Sequence, residues 1–227
     1  MQKVLKMPLF KKDNKNIFLI HIPRSGGRYI RDLLKRNKFQ VEGWEFLDRH
    51  KESKIEIPHL HYSLFKELKL PDDTKYFAVF RNPIERFKAT MSHTSYFVEY
   101  EDTKYFKRPD LFLDEIKSYD EFVEKIEYRN KHLKSNAFLK QKEFLHPNTL
   151  LWKFELGFDD LFIKWFNDKF DFDIVKKDIL ILLAPPLTRD RSMKNSFDNK
   201  IAVNLSKDIT EYVNEYYKDD FKIWENI

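Results

Sequence analysis

The chain has 227 residues, 42% of them hydrophobic and 16% aromatic, enough for one domain with a sizeable core. It carries a formal net charge of +5, which suits an anionic ligand such as a nucleotide or an acidic polysaccharide. The absence of cysteine excludes disulfides, thiolate metal sites and cysteine nucleophiles together.

The first residues, MQKVLKMPLFKKDNKN, lack the apolar centre of a signal peptide, and no apolar run reaches the roughly 18 residues of a membrane span. The expectation is a single cytoplasmic domain over residues 1–227, with residues 1–16 as a flexible N-terminus. Lys11-Lys12 and Lys176-Lys177 read as solvated surface, and no nucleic-acid-binding motif accompanies them.

Residues 17–22 (IFLIHI) form a short apolar run of the kind that makes a buried parallel strand. Pro23-Arg24-Ser25-Gly26-Gly27 then turns the chain, and RYIRDLLKR places Ile30, Leu33 and Leu34 at helical spacing. Between this unit and the next lies Pro58-His59-Leu60-His61-Tyr62, whose two histidines share a face if the segment is extended. Histidine titrates near neutrality and suits proton abstraction; a metal site needs further ligands, and none is apparent nearby. The second unit starts with the strand YFAVF (76–80), is broken by Arg81-Asn82-Pro83, and continues as the helix IERFKATMSH.

Two strand-to-helix units predict a parallel sheet with crossover connections. Farther on, Ser118 to Glu121 resembles a capping box, and 150–154 and 179–183 are candidate strands. A long polar loop spans 185–204, a pattern that goes with function or mobility. Ile209, Val213, Tyr216 and Tyr217 mark a last amphipathic helix. The fold class expected is α/β, with a central parallel sheet flanked by helices and a helix-rich second half.

The glycine turn is the first candidate site. A helix start leaves backbone N–H groups unpaired at the positive end of the helix dipole, and both favour a bound phosphate. Gly26 and Gly27 let the backbone approach an anion, while Arg24 and Arg28 add charge. The turn has neither the Walker A pattern nor GxGxxG, which counts against an ATPase or a dinucleotide enzyme. Arg81, ending the second strand, is expected on the same rim.

On these residues the chain resembles the PAPS-dependent sulfotransferases (PAPS is 3′-phosphoadenosine 5′-phosphosulfate). IFLIHIPRSGGRYI is similar to their 5′-phosphosulfate loop, close to HIPKTGGTS, and FRNPIERFKATMSH to their 3′-phosphate motif, close to RDPxERxxSxY. The likeness is to the carbohydrate branch, which includes heparan sulfate 2-O-sulfotransferases, and SYDEFVEKI, NTLLWKFE and RSMKNS with the last helix extend it.

The resemblance implies a P-loop-NTPase-like core, PAPS as donor, PAP as product, a hydroxyl-bearing and glycan-like acceptor, and no metal. It implies that Arg24, Ser25, Gly26, Gly27 and Arg28 cradle the 5′ end and Arg81 takes the 3′-phosphate. Thr90, next to Ala89 but turned about 100° away around the helix, is the candidate hydroxyl for that phosphate, and Lys194, Asn195 and Ser196 close over the nucleotide. One of the histidines serves as base, His61 in preference to His59. Three positions depart from the pattern: Arg24 stands for lysine, Arg28 for a small hydroxyl residue and Ala89 for serine. A kinase-like phosphotransferase and a non-catalytic module binding an anionic polymer are the alternatives.

Overall fold

Leu9–Lys12 forms strand β1 and Lys15–Ile20 forms β2, joined by a two-residue turn at Asp13 and Asn14. Both turn residues have positive φ, 51° and 58°. That is the mirror-image turn whose twist matches a hairpin and which Asp and Asn tolerate. The structure is a computed structural model and describes residues 9–42, 60–66, 70–94, 109–133, 136–176 and 203–227. Residues 9–16, expected within a flexible N-terminus, instead form β1, the turn and the start of β2, with Leu9 and Phe10 buried on opposite faces of the sheet.

Gln40–Glu42 (β3), Lys75–Phe80 (β4) and Thr149–Lys153 (β5) complete an open five-stranded sheet of order β3-β1-β2-β4-β5. The expected parallel pairing holds for β2, β4 and β5, while β1 pairs antiparallel with both β2 and β3. The sheet is therefore mixed. The strand expected at 150–154 is β5, with Phe154 already in a 3-10 turn, and the one expected at 179–183 lies outside the described residues.

Eight α-helices occur among the described residues. They are α1 (Gly27–Arg36), α2 (Tyr62–Phe65), α3 (Pro83–Thr94), α4 (Pro109–Asp114), α5 (Tyr119–Leu133), α6 (Asp160–Phe170), α7 (Lys207–Tyr216) and α8 (Lys218–Glu225). Side-chain caps set several starts. Asp159 accepts from Leu161 N–H before α6, and Ser206 from Ile209 N–H before α7. Before α5 the expected box forms: Ser118 Oγ accepts from Glu121 N–H, while Glu121 Oε2 accepts from Lys117 N–H, one residue farther back than in the usual box.

Strand alternation divides the core. Ile17 and Leu19 of β2 join Phe77 and Val79 of β4 under α1 (Ile30, Leu33, Leu34) and α6 (Phe162, Phe166, Phe170). Phe18, Ile20, Ala78 and Phe80 face the other way, with Leu60, Phe144 and the α8 residues Ile223 and Trp224. Because both faces are covered, these strands read as continuous apolar runs. A third cluster joins α3, α4, α5 and α7 through Phe87, Met91, Phe112, Phe122, Ile126, Ile209 and Val213. Phe10, Phe77, Phe80, Phe122, Phe144, Phe162 and Phe166 are fully buried. Each such side chain contributes about 1.5–3 kcal/mol, which is where the aromatic content goes.

Candidate anion-binding site

β2 and β4 are adjacent and parallel, with Ile20 opposite Ala78, so their carboxyl ends deliver the glycine turn and Arg81 to one rim. The two meet directly: Arg81 Nη1 donates to the Arg24 carbonyl at 2.9 Å. Arg24 has φ 67° and Gly26 has φ 83°. A left-handed arginine costs roughly 1–2 kcal/mol, so neighbours must hold it. Left-handed residues at alternate positions also curl backbone N–H groups into an anion-binding nest.

Behind the turn, the buried Arg86 donates from Nε to the Pro23 carbonyl at 3.2 Å and from Nη2 to the Ala137 and Leu139 carbonyls, both at 2.9 Å. Glycine is required twice, for different reasons. A Cβ on Gly26 would add strain at positive φ and lie 2.8 Å from Phe158 Cζ. A Cβ on Gly27, which is helical, would lie 2.0 Å from Cδ2 of the buried His21 ring.

The electrostatics run against an ordinary helix start. Gly26 caps α1 without a side-chain hydrogen bond, and the first turn holds no acid. The first N–H groups of an α-helix have no intrahelical acceptor, and a carboxylate usually sits near them. Here Arg24, Arg28 and Arg81 stand there instead. Burial, then Arg28 and Arg81, push the Arg24 guanidinium down to about 10. Burial also lowers Arg81, with Glu155 and Glu85 partly opposing. Arg24 Nε, Ser25 Oγ and Arg81 Nε are buried without a hydrogen-bond partner. Unpaired buried donors are costly, and an anion at the turn is the species that converging positive charge accommodates.

The loop after β5 forms the side wall. Arg81 Cζ lies 4.5 Å from the Phe154 ring centre, Phe158 stacks on Tyr29 at 4.9 Å, and Glu155 accepts from Asn82 N–H at 2.8 Å and from Trp224 Nε1 at 2.9 Å. A cleft of about 490 Å³ opens beside Asn82, lined by Ile84, Glu85, Lys88, Asn204, Leu205 and Thr210. A larger hollow of about 860 Å³ lies at the amino ends of β4 and β5, away from the turn.

The structure thus brings together Arg24, Ser25, Gly26, Gly27, Arg28 and Arg81, as expected, with Arg28 exposed on the first turn of α1. Thr90 departs from expectation. It is buried and donates to the Ala137 carbonyl at 3.4 Å, because its position on α3 turns it into the interior rather than toward the rim. His61 precedes α2, half-buried, with Nδ1 2.7 Å from Ser63 Oγ. Its neighbour Leu60 is buried in the cluster that holds Ile20 and Ile22, which fixes this segment to the sheet. His59, Lys194, Asn195 and Ser196 lie outside the described residues.

Arg86, Gln141, Phe154 and Phe158 were not expected at the site. Among the described residues no group of three or more His, Asp or Glu is arranged to hold a metal ion. No described helix is long and apolar enough to cross a membrane. No family model matches the chain, no curated protein and no solved structure matches it, and the anion site rests on its own geometry.

Proposed function

We propose that the chain transfers a sulfuryl group from PAPS to a hydroxyl of a carbohydrate or glycan-like acceptor, on a P-loop-NTPase-like core. The observation that carries this reading is the uncapped, acid-free start of α1, where Arg24 Nε, Ser25 Oγ and Arg81 Nε are buried without partners beside Arg28. In this reading residues 24–28 receive the 5′-phosphosulfate. Arg81 offers the 3′-phosphate what its bond to Arg24 leaves over, and the cleft beside Asn82 adjoins it.

The acceptor oxygen attacks sulfur in line with the bridging oxygen. A new S–O bond forms as the bridging S–O bond breaks, and its electron pair departs on the 5′-phosphate of PAP. Arg24 offsets the charge that grows there. The hydroxyl proton passes to the imidazole of His61, whose Nδ1 lies 2.7 Å from Ser63 Oγ. A non-catalytic anion-binding relative is favoured by one observation: Thr90 is engaged internally, so neither it nor Ala89 offers a hydroxyl to a 3′-phosphate.

The test is thermal stability with PAP, ATP, ADP and AMP, each without and with magnesium. A ligand at 100 times its dissociation constant adds about 2.7 kcal/mol, which for a chain of this size raises Tm by about 5–10 °C. A selective, magnesium-independent PAP shift followed by sulfuryl transfer from PAPS in an acceptor screen supports the proposal. Preference for ATP with magnesium replaces it with a phosphotransferase, and a PAP shift without transfer to any acceptor leaves the binding module.

A further inference from the structure

A chain of buried polar contacts joins the last helix to the glycine turn. Asp220 of α8 is fully buried, and its two carboxylate oxygens accept from consecutive backbone N–H groups, Gln141 at 2.7 Å and Lys142 at 3.0 Å. These open the 3-10 turn over Gln141–Phe144, which has no cap from the side chain of Lys140. The Gln141 side chain, also fully buried, then grips the backbone of Arg81 on both sides. Its Oε1 accepts from Arg81 N–H at 3.1 Å and its Nε2 donates to the Arg81 carbonyl at 2.8 Å. Arg81 in turn donates to the carbonyl of the left-handed Arg24.

The location of the grip matters. β4 pairs with β5 as far as Phe80 opposite Lys153, so Arg81 is the first residue beyond the ladder. Gln141 supplies the two hydrogen bonds that the ladder no longer provides and fixes where the Arg81 side chain starts. A fully buried amide costs free energy unless it is paired, and an apolar residue of the same size would fill that space more cheaply. What the amide adds is direction.

We infer that Gln141, anchored by Asp220, is a positioning residue for the anion-binding turn and acts through Arg81. The C-terminal helix α8 is thereby part of the site's framework. This rests on reading the turn as an anion site, and it makes a claim about the turn that needs no ligand to check.

The experiment compares Gln141→Met, which keeps volume and removes both bonds to Arg81, with Ile126→Ala. The latter thins the buried third cluster on α5 and is part of no hydrogen bond to the turn or to Arg81. Hydrogen exchange of residues 23–28 in the free protein and calorimetric PAP affinity are both measured. Gln141→Met is expected to speed exchange across the turn and weaken PAP at least fivefold. Ile126→Ala, at comparable loss of Tm, is expected to leave both as in the wild type. Gln141→Glu, which keeps the acceptor for Arg81 N–H but loses the donor, serves if the methionine variant does not fold and moves both readouts the same way.

Wild-type exchange in the Gln141 variant overturns the inference. So does loosening of the turn in proportion to lost stability in both variants. If the exchange contrast appears but the wild type binds no PAP, the positioning role is supported and the proposed donor falls.

Discussion

Gly27→Ala separates a need for space from a need for backbone freedom. Gly27 is the first residue of α1 and its φ is not positive, so alanine fits the backbone and gains about 0.5–1 kcal/mol over glycine. Against this, the new methyl would lie 2.0 Å from Cδ2, 2.3 Å from Nε2 and 3.0 Å from Cγ of His21. The obstacle is a buried ring, 8% exposed, and not the free end of a flexible side chain. Overpacking of this kind costs about 1–3 kcal/mol, and at so short an approach the upper half of that range applies. The net loss is about 1–2.5 kcal/mol, a fall in Tm of about 2–10 °C for a chain of this length.

The decisive assay is a double-mutant cycle with His21→Ala, read by denaturant unfolding. Removing the ring removes the clash, so Gly27→Ala is expected to be neutral or stabilising in that background. The coupling should be about 1 kcal/mol or more. Additive behaviour, or a Gly27→Ala single variant as stable as the wild type, refutes the reasoning. Gly157→Ala is a useful contrast: its Cβ meets nothing within 4 Å, so only the strain at φ 74° opposes it.

Arg24→Ala is expected to relieve the crowding of guanidinium groups while weakening PAP binding, and to lower sulfuryl transfer more than tenfold; full activity removes its assigned role. His61→Ala is expected to abolish transfer and spare PAP affinity, and an active variant moves the base elsewhere. Asp220 gives a pH signature of unusual sign. Burial raises its carboxyl above the ordinary 3.8, although hydrogen bonds from Lys142 and Gln141 and the charge of Arg86 pull the other way. A raised carboxyl holds its proton longer in the folded chain, so its stabilising share is present below pH 3.8 and is lost as pH rises through the folded value. The stability of wild type relative to Asp220→Asn should therefore fall as pH rises from about 4, measured by unfolding at a series of pH values. Parallel curves refute the shift.

How legible the molecule was depends on whether a residue's partner is local. The strands β2 and β4, the turn and α1 were readable because each is a continuous pattern within a few residues: IFLI, then Ser25-Gly26-Gly27, then Ile30, Leu33 and Leu34. The hairpin of β1 carried a signal too, Asp13-Asn14 between two short runs. LFKK shows only two apolar residues, however, and reads as a charged tail until Leu9 and Phe10 are seen buried on the two faces of the sheet. Thr90 follows Ala89 directly, so helix geometry already turns it away from the side of α3 that Ala89 occupies. The helix rotates about 100° per residue, and the bond to Ala137 lies on the inner side.

Arg86 and Gln141 were out of reach for a more basic reason. Their partners are backbone atoms, the Pro23 carbonyl 63 positions away for Arg86 and both polar groups of Arg81 60 positions away for Gln141. Every residue but proline offers the same N–H and C=O, so such a contact leaves no complementary residue type to search for. A pattern reading therefore finds the groups that meet the ligand, such as Arg24 and Arg81. It misses those that aim them, because the turn is shaped by arginines and an amide whose acceptors are carbonyls.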